Sequence, residues 1–414
     1  MSKFSFIVPY RNRDTKIAKR CLLSLQHQKL IQRNDTDYEV IFIDYGSDIS
    51  ISDELEDFCE NLDKVNYVFN EVRGMFWSRS ASINNGIYLA KGEYCIIADV
   101  DMIYSPNFLE EVDKNATQNT LLHYQCFYLN EDFEYDKYQE NHSLNIENPN
   151  QFEKSSKESA MGIVVIPTEK LKKIGAFDEY FRLWGIEDKD LNRRLLNYKY
   201  EKNKDKKLEM KWLNAEKSPV FHQWHPAANN PLAQPKGWEK IVIDHYHNKY
   251  DKPELTIHTK TNGIEIGKVY TKEERPALKV YESTQLDSNL IITNYSFEFP
   301  IEKAYSSFAS QFMKLEKNEP LILNQSFSLI DEKATSKAAK GVKKINTLLE
   351  KVKVSYRMTE LLKHTYGNID FYQVRDFLFY FIVDFENFIE DYYYKQENGK
   401  NGKPEKITLI LFKK

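Results

Sequence analysis

The sequence predicts an α/β protein whose mostly parallel sheet carries helices on both faces. Through the first hundred residues, short apolar runs alternate with segments in which apolar residues recur at helical spacing. Several of the apolar runs end in charged residues, as strands do where a ligand sits beyond their carboxyl ends. Strands that alternate with helices pair in parallel and are covered on both faces, so this pattern defines the fold class.

The elements follow in chain order. Residues 4–10 (FSFIVPY) form a compact apolar run and are predicted as the first strand. A helix is predicted next because apolar residues recur at helical spacing after a capping residue, Asp14. The second strand, DYEVIFID, closes in a cluster of Gly, Ser and Asp that indicates a turn. The remaining elements are a helix at 54–63, a strand at 65–71, a helix at 78–90 and a strand at 92–101.

Length and composition indicate a globular protein of two domains. The chain has 414 residues, of which 41% are hydrophobic and 29% charged, an ordinary balance for a protein with packed cores. We expect a catalytic domain at residues 1–250 and a mixed α/β accessory domain at 251–414. The accessory domain is predicted from strand-like runs at 288–299, 319–330 and 406–414 and from helical patterns at 336–363 and 371–395. Glycan binding, oligomerisation, docking of a partner and a plain structural role all stay open for it.

The net charge and the spacing of the cysteines limit the kinds of partner and the cellular compartment that we expect. A net charge of −4 gives no global basic field, so we expect no nucleic acid partner. The four cysteines have no metal-type spacing, which indicates reduced thiols in a cytoplasmic protein. The sequence offers neither a signal peptide nor an apolar run of the roughly 18 residues that a membrane span needs. We therefore expect a cytoplasmic protein, with docking at the inner face of the membrane left open.

Charged residues follow three of the predicted strands. Arg11 and Arg13 follow the first strand, Asp44 ends the second, and Asp99 and Asp101 follow the fourth. Each alone is also what a solvated loop contains, but parallel strands bring all of them to one edge of the sheet. Paired carboxylates at such an edge suit Mg²⁺ or Mn²⁺, whose shells are commonly completed by phosphate oxygens.

A further metal ligand is predicted in the segment VFHQWHP. His222 and His225 lie three residues apart between aromatic residues, although packed or surface histidines would look the same. A shell that mixes carboxylate and imidazole favours Mn²⁺ over Mg²⁺.

The segment LWGIEDKDLNRRL supplies a candidate for acid–base chemistry. Glu187, Asp188 and Asp190 fall in the first turn of a predicted helix, where acidic residues are also common because of the helix dipole. Trp184 and Gly185 precede them and offer an aromatic face and a permissive turn, which suit a sugar pocket. A carboxylate placed there can accept a proton from an attacking hydroxyl.

The segments FIVPYRNRD, IDYGSD, SRSASINNGIYLAKGEYCIIADVDM, LWGIEDKDLNRRL and FHQWH, in this order, resemble the GT-A nucleotide-sugar glycosyltransferases. The closest pattern is that of family 2, including chondroitin-polymerase-type domains, and of the β-1,4-galactosyltransferases. The resemblance covers about residues 3–230 and says nothing of the chain beyond about residue 250. It implies a GT-A (Rossmann-like) sheet and a metal-dependent transfer of a sugar from a nucleotide.

The resemblance also implies roles for individual residues. Asp44 would contact uracil, although Tyr45 stands where the family usually has a second Asp. Arg79 would face the diphosphate, and Asp99 would face the ribose or the ion. The residues that would bind the nucleotide sugar are Pro9, Tyr10, Arg11, Arg13, Asp44, Arg79 and Asp99, with Trp184 and Gly185 as the sugar-binding turn.

The metal and catalytic residues are assigned in the same way. Asp101 would be the direct metal ligand, with His222 as the metal histidine and His225 in reserve. Glu187 would contact the acceptor, and Asp188 would be the catalytic base. An Asp directly after that Glu favours inversion of the anomeric carbon over retention.

The function expected from the sequence is that of an inverting glycosyltransferase. It would move Gal, GalNAc, GlcNAc or a similar sugar from a UDP-sugar donor to a glycan or glycolipid acceptor, in the synthesis of a bacterial surface polysaccharide. The alternative is a catalytically silent carbohydrate-binding or scaffold protein on the same fold. A nucleotidyltransferase is disfavoured because the first strand is not followed by a Gly-rich phosphate loop. Neither the donor sugar nor the oligomeric state can be read from these motifs.

Overall fold

The structure is a computed structural model that describes most of the chain. The described residues are 2–29, 37–140, 142–181, 186–198, 207–225, 245–247, 263–278, 281, 286–297, 301–327, 371–399 and 404–414. They divide into two compact units. The first unit comprises Met1–Arg73, Trp77–His225 and Asn248–Ala277, and the second comprises Gly74–Phe76, Pro226–His247 and Leu278–Lys414. The boundary expected at residue 250 stays a prediction, since each unit draws on segments from both sides of it.

Strands and helices alternate through the first unit and recur in the second. The strands are β1 (Ser2–Tyr10), β2 (Asp37–Asp44), β3 (Val65–Phe69), β4 (Tyr94–Ile97), β5 (Met102–Tyr104), β6 (Thr120–His123), β7 (Phe127–Tyr128), β8 (Gln139–Glu140), β9 (Ser143–Leu144), β10 (Glu153–Lys154), β11 (Val164–Pro167), β12 (Glu209–Trp212), β13 (Val220–His222), β14 (Leu290–Thr293), β15 (Pro320–Ser326), β16 (Ile389–Asn398) and β17 (Pro404–Lys413). The helices are α1 (Thr15–Gln26), α2 (Ile49–Cys59), α3 (Arg79–Leu89), α4 (Phe108–Asn115), α5 (Tyr135–Tyr138), α6 (Thr168–Lys173), α7 (Glu187–Asn197), α8 (Ile301–Met313) and α9 (Phe371–Asp384).

The main sheet of the first unit has the order β12-β6-β11-β4-β1-β2-β3. The chain moves from β1 outward to β2 and β3, and then returns to place β4 on the other side of β1. These four strands are parallel, and β11 joins β4 in the antiparallel direction. The strand order therefore reverses between β1 and β4, and the crevice at such a switch point is where open α/β sheets bind ligands.

Helices cover both faces of this sheet, as the sequence predicts. Side chains alternate along β1, so that Phe6 and Val8 point into one core while Ile7 points into the other. The first core is completed by α1 and α2, with Leu22 and Leu55 buried in it. The second core is completed by α3, α6 and α7. The two-sided burial explains why these strands read as continuous apolar runs rather than alternating ones.

A second sheet lies beside the main one and has the order β10-β7-β13-β5. In it β13 pairs antiparallel with β5, with Phe221 opposite Ile103 and His222 opposite Met102. Because β5 begins right after the turn that leaves β4, this pairing brings the end of β13 to the switch point of the main sheet. Sequence reasoning missed these short strands, since two or three residues carry no readable periodicity.

The described part of the second unit contains a four-stranded sheet, β14-β15-β17-β16, and the helices α8 and α9. The helix predicted at 371–395 is wrong in its second half, because α9 ends at Asp384 and β16 begins at Ile389. The tyrosines at 392–394 fit a strand better than a helix, since aromatic residues favour the pleated surface. The helix predicted at 336–363 lies outside the described residues.

All four cysteines are free and buried. Burial raises the pKa of Cys59 to about 12 and that of Cys95 and of Cys126 to about 11. They are therefore thiols of the core rather than reactive groups. Among the helices of the described residues, none combines the length and the apolar character that crossing a bilayer requires.

Gly86 lets α3 lie directly against β1. A Cβ added at Gly86 would stand 2.5 Å from Cγ2 of Ile7, a distance that real contacts do not show. We therefore expect Gly86→Ala to lower the free energy of unfolding by about 1–3 kcal/mol, because overpacking outweighs the gain in helix propensity. Urea unfolding would measure the change. In a double-mutant cycle with Ile7→Ala the two substitutions should be non-additive, and additive effects would exclude the clash.

Candidate active site

The turn between β4 and β5 divides its two aspartates between two clusters of side chains. The turn is closed by the N–H of Met102, which donates to the carbonyl of Asp99 at 3.2 Å. Asp99 contacts Arg79, while Asp101 contacts Arg13 and lies beside two histidines. The turn lies at the switch point of the main sheet, so both clusters occupy the edge at which the sequence predicts a site.

The first cluster consists of Asp101, His222 and His225. Nε2 of His222 lies 3.6 Å from Oδ2 of Asp101, and Nε2 of His225 lies 3.3 Å from the same oxygen. One ligand atom from each residue can be chosen so that all lie within 4.8 Å of one another. The structure thus brings both histidines to Asp101 and does not rank His222 above His225.

The cluster fits a divalent cation. Asp101 is only 8% exposed, and its Oδ1 has no hydrogen-bond partner among the described residues. Burial opposes ionisation of Asp101, but Arg13 and the two histidines outweigh it and hold the pKa of the carboxyl well below its usual range. Burial also lowers the pKa of His222, which favours the neutral imidazole that a metal requires. One buried acceptor without a partner and two imidazoles form a donor set for a first-row divalent ion.

Gln223 connects the two histidines to the aspartate. Its backbone N–H donates to the carbonyl of Asp101 at 2.7 Å. Its side chain is fully buried, donates to the carbonyl of Ile17 at 3.0 Å and accepts from Nε of Arg20 at 2.7 Å. Sequence reasoning missed Gln223, because nothing in the sequence shows that its side chain contacts Ile17 and Arg20 of α1.

The second cluster surrounds Arg79, the first residue of α3. Its Nε and Nη2 donate to Oδ1 of Asp99 at 3.1 and 2.8 Å, and its Nη1 donates to Oδ1 of Asp188 at 3.1 Å. Nη1 also lies 3.9 Å from Oε1 of Glu187. One guanidinium therefore serves three carboxyl groups from two different elements, so the cluster carries excess negative charge when all three are ionised.

Burial, together with this excess of negative charge, raises the pKa values of two acids of α7. Burial, reinforced by Asp188, raises the pKa of Glu187 to about 8. Burial likewise raises the pKa of Asp188, with Arg79 opposing the shift. Burial alone would lower the pKa of Arg79, but the three carboxylates outweigh burial and raise it. Oε2 of Glu187 is buried and has no hydrogen-bond partner among the described residues, which leaves it available to a ligand.

The start of α7 is held in an uncommon backbone conformation. Ile186 precedes the helix with φ of 74°, which a β-branched residue adopts only when its surroundings impose it. Glu187, Asp188 and Asp190 follow in the first turn, as the sequence predicts. Asp190 is not available to a substrate, because it forms ion pairs with Arg193 and Arg194. Trp184 and Gly185, the expected sugar-binding turn, lie outside the described residues.

Gly162 provides the space for the carboxylate of Asp188. A Cβ added at Gly162 would meet Oδ2 of Asp188 at 2.5 Å and its Cγ at 2.9 Å. The whole carboxylate thus packs against the position of the missing Cβ of Gly162, and its Oδ1 also accepts from Arg79. Sequence reasoning missed Gly162, although an isolated glycine just before an apolar strand is a signal of close approach.

The residues expected to line the nucleotide pocket lie at the ends of β1 and β2. Pro9 and Tyr10 are buried, Arg11 is half-buried, and Tyr10 donates through its hydroxyl to the carbonyl of Arg13. Asp44 is fully buried and accepts from three groups of the protein itself: the N–H of Ser47 and the hydroxyls of Ser52 and Tyr67. Asp44 therefore holds the turn after β2 together, and its contact with uracil stays a prediction.

A doubly covered sheet with acidic residues and a candidate cation site at its switch point is the arrangement that the resemblance to GT-A glycosyltransferases predicts. Residues 5–181 match the family described as "Glycosyl transferase family 2". The match indicates a glycosyltransferase, and the segment that resembles family 2 is less than half of the chain. The acids of α7 and the two histidines lie beyond that segment.

Solved structures give looser likenesses, and no curated protein matches the chain. S. aureus TarS 1-349 in complex with UDP-GlcNAc is 16% identical, with a TM-score of 0.41 over 61% of this chain and 68% of that chain. The mannosyltransferase PcManGT from Pyrobaculum calidifontis, in complex with GDP-Man and Mn²⁺, is 14% identical, with a TM-score of 0.40 over 61% and 66%. The chain spans 40% of the structure of S. aureus TarS. The similarity to family 2 is confined to residues 5–181.

Proposed function

We propose that the protein is an inverting glycosyltransferase that moves a sugar from a UDP-sugar to a hydroxyl of a glycan or glycolipid. The observation that supports this most directly is the joining of two clusters by one short turn. Asp101 belongs to a cluster suited to a cation, and Asp99 belongs to a cluster that holds the candidate base, Asp188. A transferase needs both functions within reach of one bond between a sugar and a phosphate.

The proposed reaction is a single displacement. The acceptor oxygen attacks the anomeric carbon, the bond from that carbon to the β-phosphate oxygen breaks, and the hydroxyl proton passes to Asp188. Arg79 donates to Oδ1 of this carboxylate at 3.1 Å, and the carboxylate packs against Gly162. Burial raises the pKa of Asp188, which makes its ionised form a stronger proton acceptor than an ordinary aspartate. Because the base is held in place before the reaction, part of the rate enhancement comes from this positioning.

Asp101, His222 and His225 would hold the metal, for which a mixed shell favours Mn²⁺ over Mg²⁺. A divalent ion there supplies charge neutralisation for the departing diphosphate. Arg13 pairs with Asp101 just after β1, so its positive charge adjoins the candidate cation site.

The more specific roles of residues and the expected sugars are taken from the sequence motifs. Glu187 would contact the acceptor through its buried Oε2, and Trp184 with Gly185 would form the sugar turn. Gal, GalNAc and GlcNAc are the expected sugars, and synthesis of a bacterial surface polysaccharide, at the inner face of the membrane, is the expected setting. The likeness to chondroitin-polymerase-type and β-1,4-galactosyltransferase enzymes stays a prediction from the sequence.

A donor screen tests the proposal. The protein should release UDP from at least one of UDP-Gal, UDP-GalNAc and UDP-GlcNAc when Mn²⁺ is present, and EDTA should stop the release. Because the base must be ionised, activity should fall as the pH drops through the pKa of Asp188, which lies above the usual range of an aspartate. Measurement of kcat as a function of pH shows this fall as the acidic limb of the profile. Binding of UDP-sugars without release of UDP from any donor would instead indicate a silent carbohydrate-binding protein.

A further inference from the structure

Asn192 ties the first turn of α7 to the segment that precedes β11. Its Nδ2 donates to the carbonyl of Asp188 at 2.8 Å and to the carbonyl of Met161 at 3.1 Å. The side chain is 5% exposed, so neither bond competes with bulk water. One amide group therefore joins two elements that lie about thirty residues apart in the chain.

Both ends of this bridge adjoin the carboxylate of Asp188. Met161 is followed directly by Gly162, whose missing Cβ leaves the space that Oδ2 and Cγ of Asp188 fill. The bond from Asn192 to Met161 thus fixes the backbone that limits this carboxylate on one side. Its bond to the carbonyl of Asp188 fixes the main chain of the same residue. The remaining oxygen, Oδ1, is then directed to Nη1 of Arg79 at 3.1 Å.

The rest of α7 is anchored without Asn192. Asp190 is buried and forms ion pairs with Arg193 and Arg194. Arg194 also donates to the carbonyls of Ile174 and Ala176 at 3.2 and 2.7 Å. Leu191 and Leu195 bury the apolar face of the helix in the core. The contacts of Asn192 therefore act on the first turn and on the position of Asp188 rather than on the existence of the helix.

We propose that Asn192 is a positioning residue for the catalytic base: it holds the Met161–Gly162 backbone against Asp188 so that the carboxylate packs on Gly162 with its Oδ1 facing Arg79. This inference rests on the proposed function, in which Asp188 accepts the proton of the acceptor. The groups that act on the Asp188 carboxylate are Arg79, Asp99 and Glu187.

The test replaces Asn192 with leucine, which has a similar shape but donates no hydrogen bond. UDP release from UDP-Gal, UDP-GalNAc and UDP-GlcNAc with Mn²⁺ should fall by about 10²-fold in kcat, because a base displaced by about 1 Å loses that much. KM for the donor should stay as in wild type, since Asn192 does not reach the cation cluster. Asn197→Leu makes the same change at an exposed position of the same helix and should leave kcat unchanged.

Two measurements distinguish a positioning role of Asn192 from a purely stabilising one. The acidic limb of the kcat profile should move to higher pH in Asn192→Leu, because a looser contact with Arg79 favours the ionised carboxylate less. The ¹³C resonance of the Asp188 carboxyl, assigned by its loss in Asp188→Asn, should titrate at a correspondingly higher pH. Gly162→Ala acts on the other end of the bridge and should reproduce both shifts.

An Asp188 resonance that titrates alike in wild type and Asn192→Leu would overturn the inference, whatever the activity. A lower melting temperature with an unmoved pH limb would do the same, since it would reduce Asn192 to a stabilising residue. If Asn192→Leu does not fold, Asn192→Ser is read by the same two criteria. Failure of the proposed function has a different signature, namely full transfer by Asp188→Asn.

Discussion

Asp188→Asn is expected to abolish sugar transfer while leaving the binding of UDP and Mn²⁺ close to wild type. The amide keeps the shape of the side chain between Arg79 and Gly162 but cannot accept the hydroxyl proton. Loss of a general base of this kind typically lowers the rate by about 10² to 10⁴-fold. Steady-state release of UDP with a competent acceptor measures the rate, and calorimetric titration with UDP and Mn²⁺ measures the binding.

The stability of this variant follows from the sign of the pKa shift. Burial raises the pKa of Asp188, so ionisation costs stability in the folded state above the pKa of the unfolded chain. The neutral amide removes this cost, and the melting temperature of Asp188→Asn at neutral pH should therefore not fall. Asp132→Asn, at an exposed position, serves as the control and should behave as wild type in both assays. Transfer by Asp188→Asn at a rate close to wild type would show that another group is the base.

Asp101→Ala is expected to abolish the dependence of UDP binding on a divalent cation. The substitution removes the carboxylate whose Oδ1 is free for an ion, and it leaves Arg13, His222 and His225 without their shared partner. Changes to groups that merely support a metal ligand cost about 10- to 100-fold in affinity, so loss of the ligand itself should cost more than about 10²-fold. Titration of UDP with Mn²⁺ and with EDTA present measures the difference.

Controls for Asp101→Ala must allow for its effect on folding. Arg13 and the histidines hold the pKa of Asp101 below its usual range, so the carboxylate contributes stability above the pKa of the unfolded chain. The variant should therefore melt at a lower temperature at neutral pH, and Asp101→Asn, which keeps the shape, is tested beside it. Mn²⁺-dependent binding that persists in both variants would contradict the assignment. His222→Ala and His225→Ala should each weaken Mn²⁺ binding, since both rings reach Asp101.

The order of strands and helices in the first hundred residues was predictable because it rests on local signals. Apolar runs, a cap at Asp14 and turn residues after Asp44 are all readable within a few residues. The convergence of Asp99 and Asp101 on one sheet edge followed from the parallel strands, without any knowledge of contacts. These parts of the fold agree with the structure.

The parts that were not predictable depend on contacts between distant segments. Arg79 meets Asp188 across 109 positions of sequence, and Gln223 meets Ile17 across 206. Gly162 is visible in the sequence as an isolated glycine, but nothing there shows that the residue packed against it is Asp188. The error at the end of α9 has another cause: a long apolar and aromatic run reads as a helix until its partner strand, β17, is known.

The turn between β4 and β5 determines what shape of inhibitor would suit both clusters. Val100 is buried in the core, so the segment that carries both aspartates is anchored at its middle. Two residues of extended chain span at most about 7 Å, which is therefore the upper limit for the separation of the two Cα atoms. This short backbone separation favours a compact, rigid inhibitor over one with a flexible linker, if it is to pair a metal-chelating group with a group that binds beside Asp99. Rigidity of this kind raises affinity because less conformational entropy is lost on binding.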